Sequence, residues 1–476
     1  MKTRKGLILA LCCAAQFMVV LDIAIVNVAL PSIKADLGLS EGGLEWIVVA
    51  YGLMLGGFLL LGGRLGDLLG RRRVLVAGLG LFTGASVLAG LSQSTGLLIA
   101  ARALQGFGAA LIAPSALAIL AVTFAEGAER NKALGIFGAI GGSSATVGVL
   151  ASGLLTDGPG WRWIFFINAP IGVALIVLAA RYLPAGVRAA GRRRFDALGA
   201  VTVTAGLLLF VYGLNHGSLH GWASAGTIGS FAAAAALLAA FVRVESRSRQ
   251  PLVPFAALRN RTMVAADLTA FLLFGAFFSF IFLVSLLLQQ LLLYSPTKTG
   301  LAWLATSVTG FIVAGFSSAK LVGRIGVRRL LVAGLVLAAA GLVLLARVPA
   351  GGTYARDLLP ALLLLGVSVG VAGPGVQIAA MTGVEQRRAG LASGLVETMR
   401  EIGGAVGIAT VSTVLVSRTT NAGPLAGFHA AFAVAAVMAI VGAVVAAVAF
   451  PRTARTAAVV PLEEEEAGVA AIPEAV

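Results

Sequence analysis

Between Leu7 and Phe450 the chain is a succession of apolar stretches, each about as long as a bilayer is thick, joined by short polar links. One helical crossing takes about 20 mainly apolar residues. Backbone in hydrocarbon must satisfy its hydrogen bonds internally, so repeated stretches of this kind fold as membrane-spanning helices. The pattern places fourteen spans, at 7–30, 44–63, 74–92, 97–122, 133–156, 161–180, 197–214, 223–242, 263–293, 300–320, 328–347, 357–381, 389–415 and 427–450. Only 12% of the 476 residues are charged, about half the share of a soluble domain, which excludes a soluble fold. The expected fold class is all-α integral membrane, and the 61 glycines fit it by letting helices approach closely.

The net charge of +15 in a soluble chain would point to nucleic acid. Here the basic residues gather in alternate links. With the N-terminus inside, 27 of the 35 lysines and arginines fall on the inner side and six on the outer, with Arg102 and Arg400 inside helices. That bias sets both termini in the cytoplasm of a multi-pass plasma-membrane protein, with the lipid bilayer as partner and no nucleic acid. Met1–Lys5 imitates the charged start of a signal peptide, but the apolar run continues to Leu30, so the segment reads as a retained first helix. Cys12 and Cys13 are neighbours in that helix, which gives neither a disulfide nor a metal site.

A repeat organises the spans. The link after the second span, Gly63-Arg64-Leu65-Gly66-Asp67-Leu68-Leu69-Gly70-Arg71-Arg72-Arg73, has a counterpart in Gly323-Arg324-Ile325-Gly326-Val327-Arg328-Arg329 after the tenth. Equivalent links imply two equivalent halves: a six-helix bundle over 1–185, two inserted helices over 186–255, and a second six-helix bundle over 256–452. Residues 453–476, with Glu463–Glu466, read as a disordered cytoplasmic tail. Chains built from such repeats bind substrate between the halves, near the bilayer midplane.

Charge inside a span costs roughly 2.5–3.5 kcal/mol on insertion scales, so intramembrane ionisable residues mark function. They are few: Asp22, Arg102, Glu397, Arg400 and Glu401. Glu45 and Asp267 fall near the boundary. Asp22 lies about 12 Å and Arg102 about 8 Å from the outer end of their spans, depths that allow a pair. Burial favours the neutral acid and a neighbouring arginine the ionised one; that opposition suits a group that takes and gives up a proton, and a static ion pair is the competing reading. Glu397, Arg400 and Glu401 share a helix face, with one arginine to neutralise two carboxylates. Glu397 is thus a second proton or cation acceptor, or part of a packing cluster. Asp22 and Glu397, with the aromatic run containing Phe271, Phe274, Phe277 and Phe278, are candidates to line a substrate site. Phe274 and Phe278 are taken as its walls, with lipid-facing packing as the alternative. The small-residue stripe on the fifth span, including Gly148, allows either sliding or tight packing. Gly63, Asp67, Gly70, Arg71 and Arg72 are candidates for a gate at the inner mouth.

These motifs together resemble the major facilitator superfamily, and within it the 14-helix drug:proton antiporters. Leu21-Asp22-Ile23-Ala24-Ile25-Val26-Asn27-Val28-Ala29-Leu30-Pro31 is similar to that subfamily's first-helix motif. Gly63–Arg73 resembles the superfamily's signature link. Arg102-Ala103-Leu104-Gln105-Gly106-Phe107-Gly108 resembles its fourth-helix motif, whose arginine the family ties to proton transfer. Trp161-Arg162-Trp163-Ile164-Phe165-Phe166-Ile167-Asn168-Ala169-Pro170-Ile171-Gly172 and Gly390-Leu391-Ala392-Ser393-Gly394, leading to Glu397 and Arg400, match the subfamily in the same order. One motif departs: the fifth helix of the antiporters carries Gly-Pro, and here Val149 follows Gly148, so the proline kink is absent.

The resemblance implies secondary export, with protons moving inward and Asp22, Arg102 and Glu397 as the coupling residues. The substrates it implies are small, lipophilic and often cationic, and a monomer is expected. No Gly-x-x-x-x-Gly-Lys-Ser/Thr loop is present, so the proton gradient replaces ATP and no cofactor or metal is expected. The competing readings are a proton symporter that takes up a nutrient and a membrane-embedded enzyme. The spans carry few polar groups for a sugar-like substrate and no nucleophile or histidine-rich constellation. The orientation is testable: cysteines in 214–222 should react with an impermeant maleimide from outside, and those in 182–196 and 243–262 only from inside. Outside labelling of 243–262 would break the topology.

Overall fold

The computed structural model describes residues 2–39, 41–183, 196–248, 253, 260–316 and 321–450. The tail 453–476 and most of the two links around the inserted helices lie outside the described residues. Fourteen helices stand among the described residues, one for each expected span: α1 Lys2–Leu37, α2 Glu41–Leu65, α3 Arg71–Gly90, α4 Thr95–Thr123 and α5 Ala128–Asp157. α6 joins a turn, Trp163–Phe166, to Asn168–Tyr182. Then follow α7 Ala197–His220, α8 Ala225–Arg247, α9 Arg261–Leu286, α10 Pro296–Phe316, α11 Val322–Leu345, α12 Leu359–Met381, α13 Ala389–Ala422 and α14 Pro424–Ala449. Their starts carry the expected chemistry. Ser94, Asp196, Ser224 and Asn260 each accept a hydrogen bond from the first turn of the helix they precede.

Several helices run past the hydrophobic stretch that announces them. α1 extends to Leu37, and α13 to Ala422. α7 continues to His220, so the expected 214–222 link shrinks to the turn that begins at Gly221. Hydropathy measures the apolar part of a helix, whereas the helix itself ends where its last carbonyls find a stop, here Gly221 with φ 94°. Asp267 lies in the second turn of α9 and is buried. Large apolar side chains form the outer surface, among them Val173, Val177, Leu198, Val201, Val444 and Val448. A contiguous surface of this kind needs a hydrocarbon solvent, and the chain is a multi-pass membrane protein.

The packing repeats. α1 lies against α4, α5 and α6, α2 against α4, and α3 against α4 and α6. Eight helices on, α9 lies against α12, α13 and α14, α10 against α12, and α11 against α12 and α14. The repeated links share a register that begins at a glycine in the left-handed region, Gly70 (φ 98°) and Gly326 (φ 78°). Two residues on, Arg72 donates to the carbonyl of Ala180 near the end of α6, and Arg328 to that of Ala447 near the end of α14. Both arginines thus satisfy carbonyls that a helix terminus leaves unpaired. In this register Gly323 stands where the first link has Asp67, so the acid has no counterpart.

α7 and α8 pair with each other, and α7 touches both sets of six through α2 and α13. Among the described residues, the other main helix contacts between the sets are α5 with α10 and α12, and α13 with α2 and α4. At the end that holds both described termini they are close. Asp67 accepts from the backbone N–H of Gly390 (3.0 Å) and Leu391 (2.9 Å) in the first turn of α13, where the helix dipole favours a carboxylate. Arg71 pairs with Asp67 at 2.9 Å and also donates to the Gln386 carbonyl. Gly63 meets the backbone of Gly390 and Gly394 so closely that a Cβ there would lie 2.9 Å from the Gly394 Cα. Ser393 donates to the Pro114 carbonyl at 2.8 Å. At this basic end the bundle is shut. At the other, Arg162 and Trp161 donate to Asp36 at 2.7 and 3.1 Å, and those hydrogen bonds hold its carboxyl below the usual carboxylate range.

Gly63→Val should prise the basic end open. In a chain lacking Cys12 and Cys13, a cysteine at Ser393 should then alkylate several-fold faster than with Gly63 in place. Unchanged labelling would show that this crossing does not hold the closure.

Candidate functional site

Asp22 stands in the middle of α1 with no exposed surface, and the neighbouring helices supply its donors. Arg102 of α4 donates through Nη1 to Asp22 Oδ2. Gln105, one turn on, donates to Oδ1 at 3.0 Å, and Asn168 of α6 to the same oxygen at 3.0 Å. Gln105 also donates to Ser86 Oγ of α3 at 2.7 Å and accepts from Arg102 at 3.0 Å. Arg102 completes its contacts on α2: Nε donates to the Ile47 carbonyl at 3.2 Å, and the guanidinium lies 4.3 Å from the Tyr51 ring centre. A buried charge pair is tolerated only when its remaining donors and lone pairs are satisfied, and this one is satisfied from five helices. Asp22 and Arg102 were legible as a pair from their depths. Gln105, Asn168, Ser86 and Tyr51 were not singled out, although the first two lie in the quoted motifs. Their signal is polarity within an apolar span, one turn from Arg102 in the case of Gln105.

The second cluster lies on α13. Arg400 reaches both neighbouring acids, Glu397 at 2.7 Å and Glu401 at 3.0 Å. A single guanidinium thus bridges two carboxyl groups, and in formal count the acids outnumber the base by one. Glu397 has no exposed surface and accepts from Gln377 of α12 at 3.2 Å. Arg400 and Glu401 keep 12% and 19% of their side-chain surface, so this cluster opens further toward solvent-accessible space than the first. Tyr51, under the Arg102 guanidinium, is near enough to the α13 cluster to interact with the charges of Arg400 and Glu401 as well. Its hydroxyl donates to the Val19 carbonyl at 3.4 Å.

The aromatic run of α9 borders the α13 cluster. Phe274 lies 5.6 Å from the Arg400 guanidinium and packs with Phe277 and Phe278 at 6.1 and 6.0 Å. Phe278 also covers Gly404 of α13. Gly148 is not at the crossing of the two sets: it packs on Leu21, Ala24 and Ile25 of α1, beside Asp22, where a Cβ would lie 2.7 Å from that of Ala24. Gly63, Asp67, Gly70, Arg71 and Arg72 gather at the basic end, away from these charges.

A repeated six-helix packing with charged clusters buried inside it defines a polytopic membrane protein of transporter architecture. The family model described as Major Facilitator Superfamily matches residues 12–408, and the chain belongs to that superfamily. The puromycin resistance protein pur8 of Streptomyces alboniger is 39% identical, over 87% of this chain and 82% of its own length. The cephamycin export protein CmcT of Amycolatopsis lactamdurans is 38% identical, over 87% of this chain and 85% of its own. Among solved structures, the human organic anion transporter MFSD10 (TETRAN) superposes with a TM-score of 0.67 at 15% identity, covering 93% of this chain and 99% of that one. The likeness at that identity is one of fold.

Asn168→Ala should leave Oδ1 of Asp22 with Gln105 alone. The cost of an under-satisfied buried group, about 1–3 kcal/mol, should appear as a lower unfolding midpoint in detergent. An unchanged midpoint would mean that Asn168 does not hold the network.

Proposed function

We propose that this protein is a proton-coupled exporter of small lipophilic compounds of the antibiotic or drug type, working by alternating access from the plasma membrane. In this reading the basic end is cytoplasmic, as the positive-inside rule requires, and the chain acts as a monomer without a cofactor. Two relatives of closely similar length bear names of resistance and export, puromycin resistance and cephamycin export. The observation that carries the coupling is the Asp22 carboxylate, excluded from solvent and ringed by Arg102, Gln105 and Asn168.

The ring converts a proton into a change of packing. An ionised carboxylate only accepts; a protonated one carries an O–H donor. A proton on Oδ2 therefore displaces the Arg102 donor, and a buried guanidinium that has lost its anion must find another. Arg102 also holds α2 through Ile47 and Tyr51, and Tyr51 stands next to the Arg400 and Glu401 charges of α13. Loading Asp22 with a proton from outside thus loosens α4 from α1 and reaches the crossing between the halves. Release of that proton to the inner side restores the pair. Substrate occupies the space bordered by Glu397, Arg400, Glu401 and the Phe274 and Phe278 rings. There the excess negative charge favours a cation and the aromatic rings accept an apolar body. Closure through Asp67, Arg71 and Gly63 is the gate.

The roles separate experimentally. Asp22→Asn should abolish export driven by the proton gradient for a cationic and for a neutral substrate, while the protein still folds. Glu397→Gln should impair the cationic substrate more. The check is parallel transport of one substrate of each kind by proteoliposomes under an imposed pH gradient. Gradient-dependent export by Asp22→Asn would remove it from coupling, and equal loss of both substrates in Glu397→Gln would remove its selectivity.

A further inference from the structure

Away from these charges, the last turns of α7 hold two of the three histidines of the chain. His216 and His220 lie four residues apart at the end of α7, so they share one helix face. Their ring centres are 4.3 Å apart with planes inclined by 20°. We propose that His216 and His220 form a site for one borderline divalent metal ion, Zn2+ or a neighbour such as Ni2+ or Cu2+.

The hydrogen bonds around the pair preset its chemistry. Thr227, at the start of α8, has no exposed surface. Its hydroxyl has a single proton and donates to the Gly221 carbonyl at 3.1 Å. Toward His216 Nδ1, at 3.1 Å, that oxygen therefore accepts. His216 must then carry its proton on Nδ1, which leaves the Nε2 lone pair free to ligate. Metal-binding histidines have this arrangement, the second nitrogen donating to a fixed acceptor that sets tautomer and ring orientation. His220 is exposed at the last position of α7, and its ring is free to turn onto the same ion. In the present stack the two rings lie face to face and their in-plane lone pairs run side by side, so to share an ion of Zn–N about 2.0–2.1 Å the exposed His220 must swing out of the stack and aim a nitrogen at the ion held by His216 Nε2. Two histidines at i and i+4 are the helical donor pair that holds zinc in other settings. No group of three or more His, Cys, Asp or Glu stands together among the described residues, so water completes the coordination. Imidazole selects borderline transition metals and not Mg2+ or Ca2+. A bound ion would fasten the last turn of α7 and, through Thr227, the start of α8. Tyr212 extends the ring stack from His216, at 5.5 Å, to Trp46 of α2, at 6.2 Å. The fastened turn therefore abuts the first set of six helices.

The test uses full-length protein in detergent with its affinity tag removed and Zn2+ as the probe, titrated against a chromophoric zinc indicator. About one equivalent should bind per chain, with no displacement by millimolar Mg2+ or Ca2+. His220→Ala changes an exposed side chain and should weaken binding at least tenfold, as should His216→Ala. Thr227→Val should weaken it about tenfold through the lost second hydrogen bond. His429→Ala, whose ring bonds the Val348 carbonyl elsewhere, should leave binding unchanged. Zinc binding that survives His220→Ala, or the absence of binding by the unaltered protein, would overturn the proposal. Neither outcome bears on proton-coupled export, which this site does not serve.

Discussion

The first six helices depend on one buried carboxylate. A charge in hydrocarbon must be matched by donors held in place, because nothing in the lipid will supply them. Asp22 of α1 draws Arg102 and Gln105 from α4 and Asn168 from α6, and through them Ser86 of α3 and Ile47 and Tyr51 of α2. Asp22 accepts from Arg102, Gln105 and Asn168, and an O–H on that carboxyl would displace one of these donors.

The two sets of six share a backbone plan but not its charges. Their packing pairs correspond helix for helix, and each has an arginine closing the end of its last helix. The buried acids do not correspond. Asp22 lies on α1, whose counterpart is α9, whereas Glu397 lies on α13, the counterpart of α5. The closure is one-sided as well, since Asp67 meets α13 and Gly323 replaces it in the second link. In the proposed reading a repeated scaffold with unlike charges divides two tasks between its halves, the proton at Asp22 and the substrate beside Glu397.

Small residues allow these charges to work. Gly63 against Gly390 and Gly394, and Gly148 against α1, let backbones approach where lipid offers no hydrophobic push between helices. Close contact of this kind is strong when seated and has no long side chains to disentangle when it parts. That property suits the crossing at Gly63, the proposed gate, and the contact of Gly148 with α1 beside Asp22.

How much was legible follows from the range of each signal. Span number, fold class and the grouping of basic residues follow from hydropathy and charge along the chain, because the bilayer acts on each segment separately. Asp22 and Arg102 were legible as a pair because helix rise converts position into depth. Depth says nothing about azimuth, so Gln105, Asn168 and Tyr51 stayed hidden until helix packing turned them toward the same carboxylate. The ends of α1, α7 and α13 likewise lie beyond the apolar stretch, where capping decides. Arg400 could be assigned one partner by counting charges, and only its seat between Glu397 and Glu401 showed that it touches both. The sequence by itself determined that the chain crosses a membrane and which residues carry charge into it. Only the tertiary structure decided which charges meet, because rotation about a helix axis is set by neighbouring helices and leaves no mark on the segment's own composition.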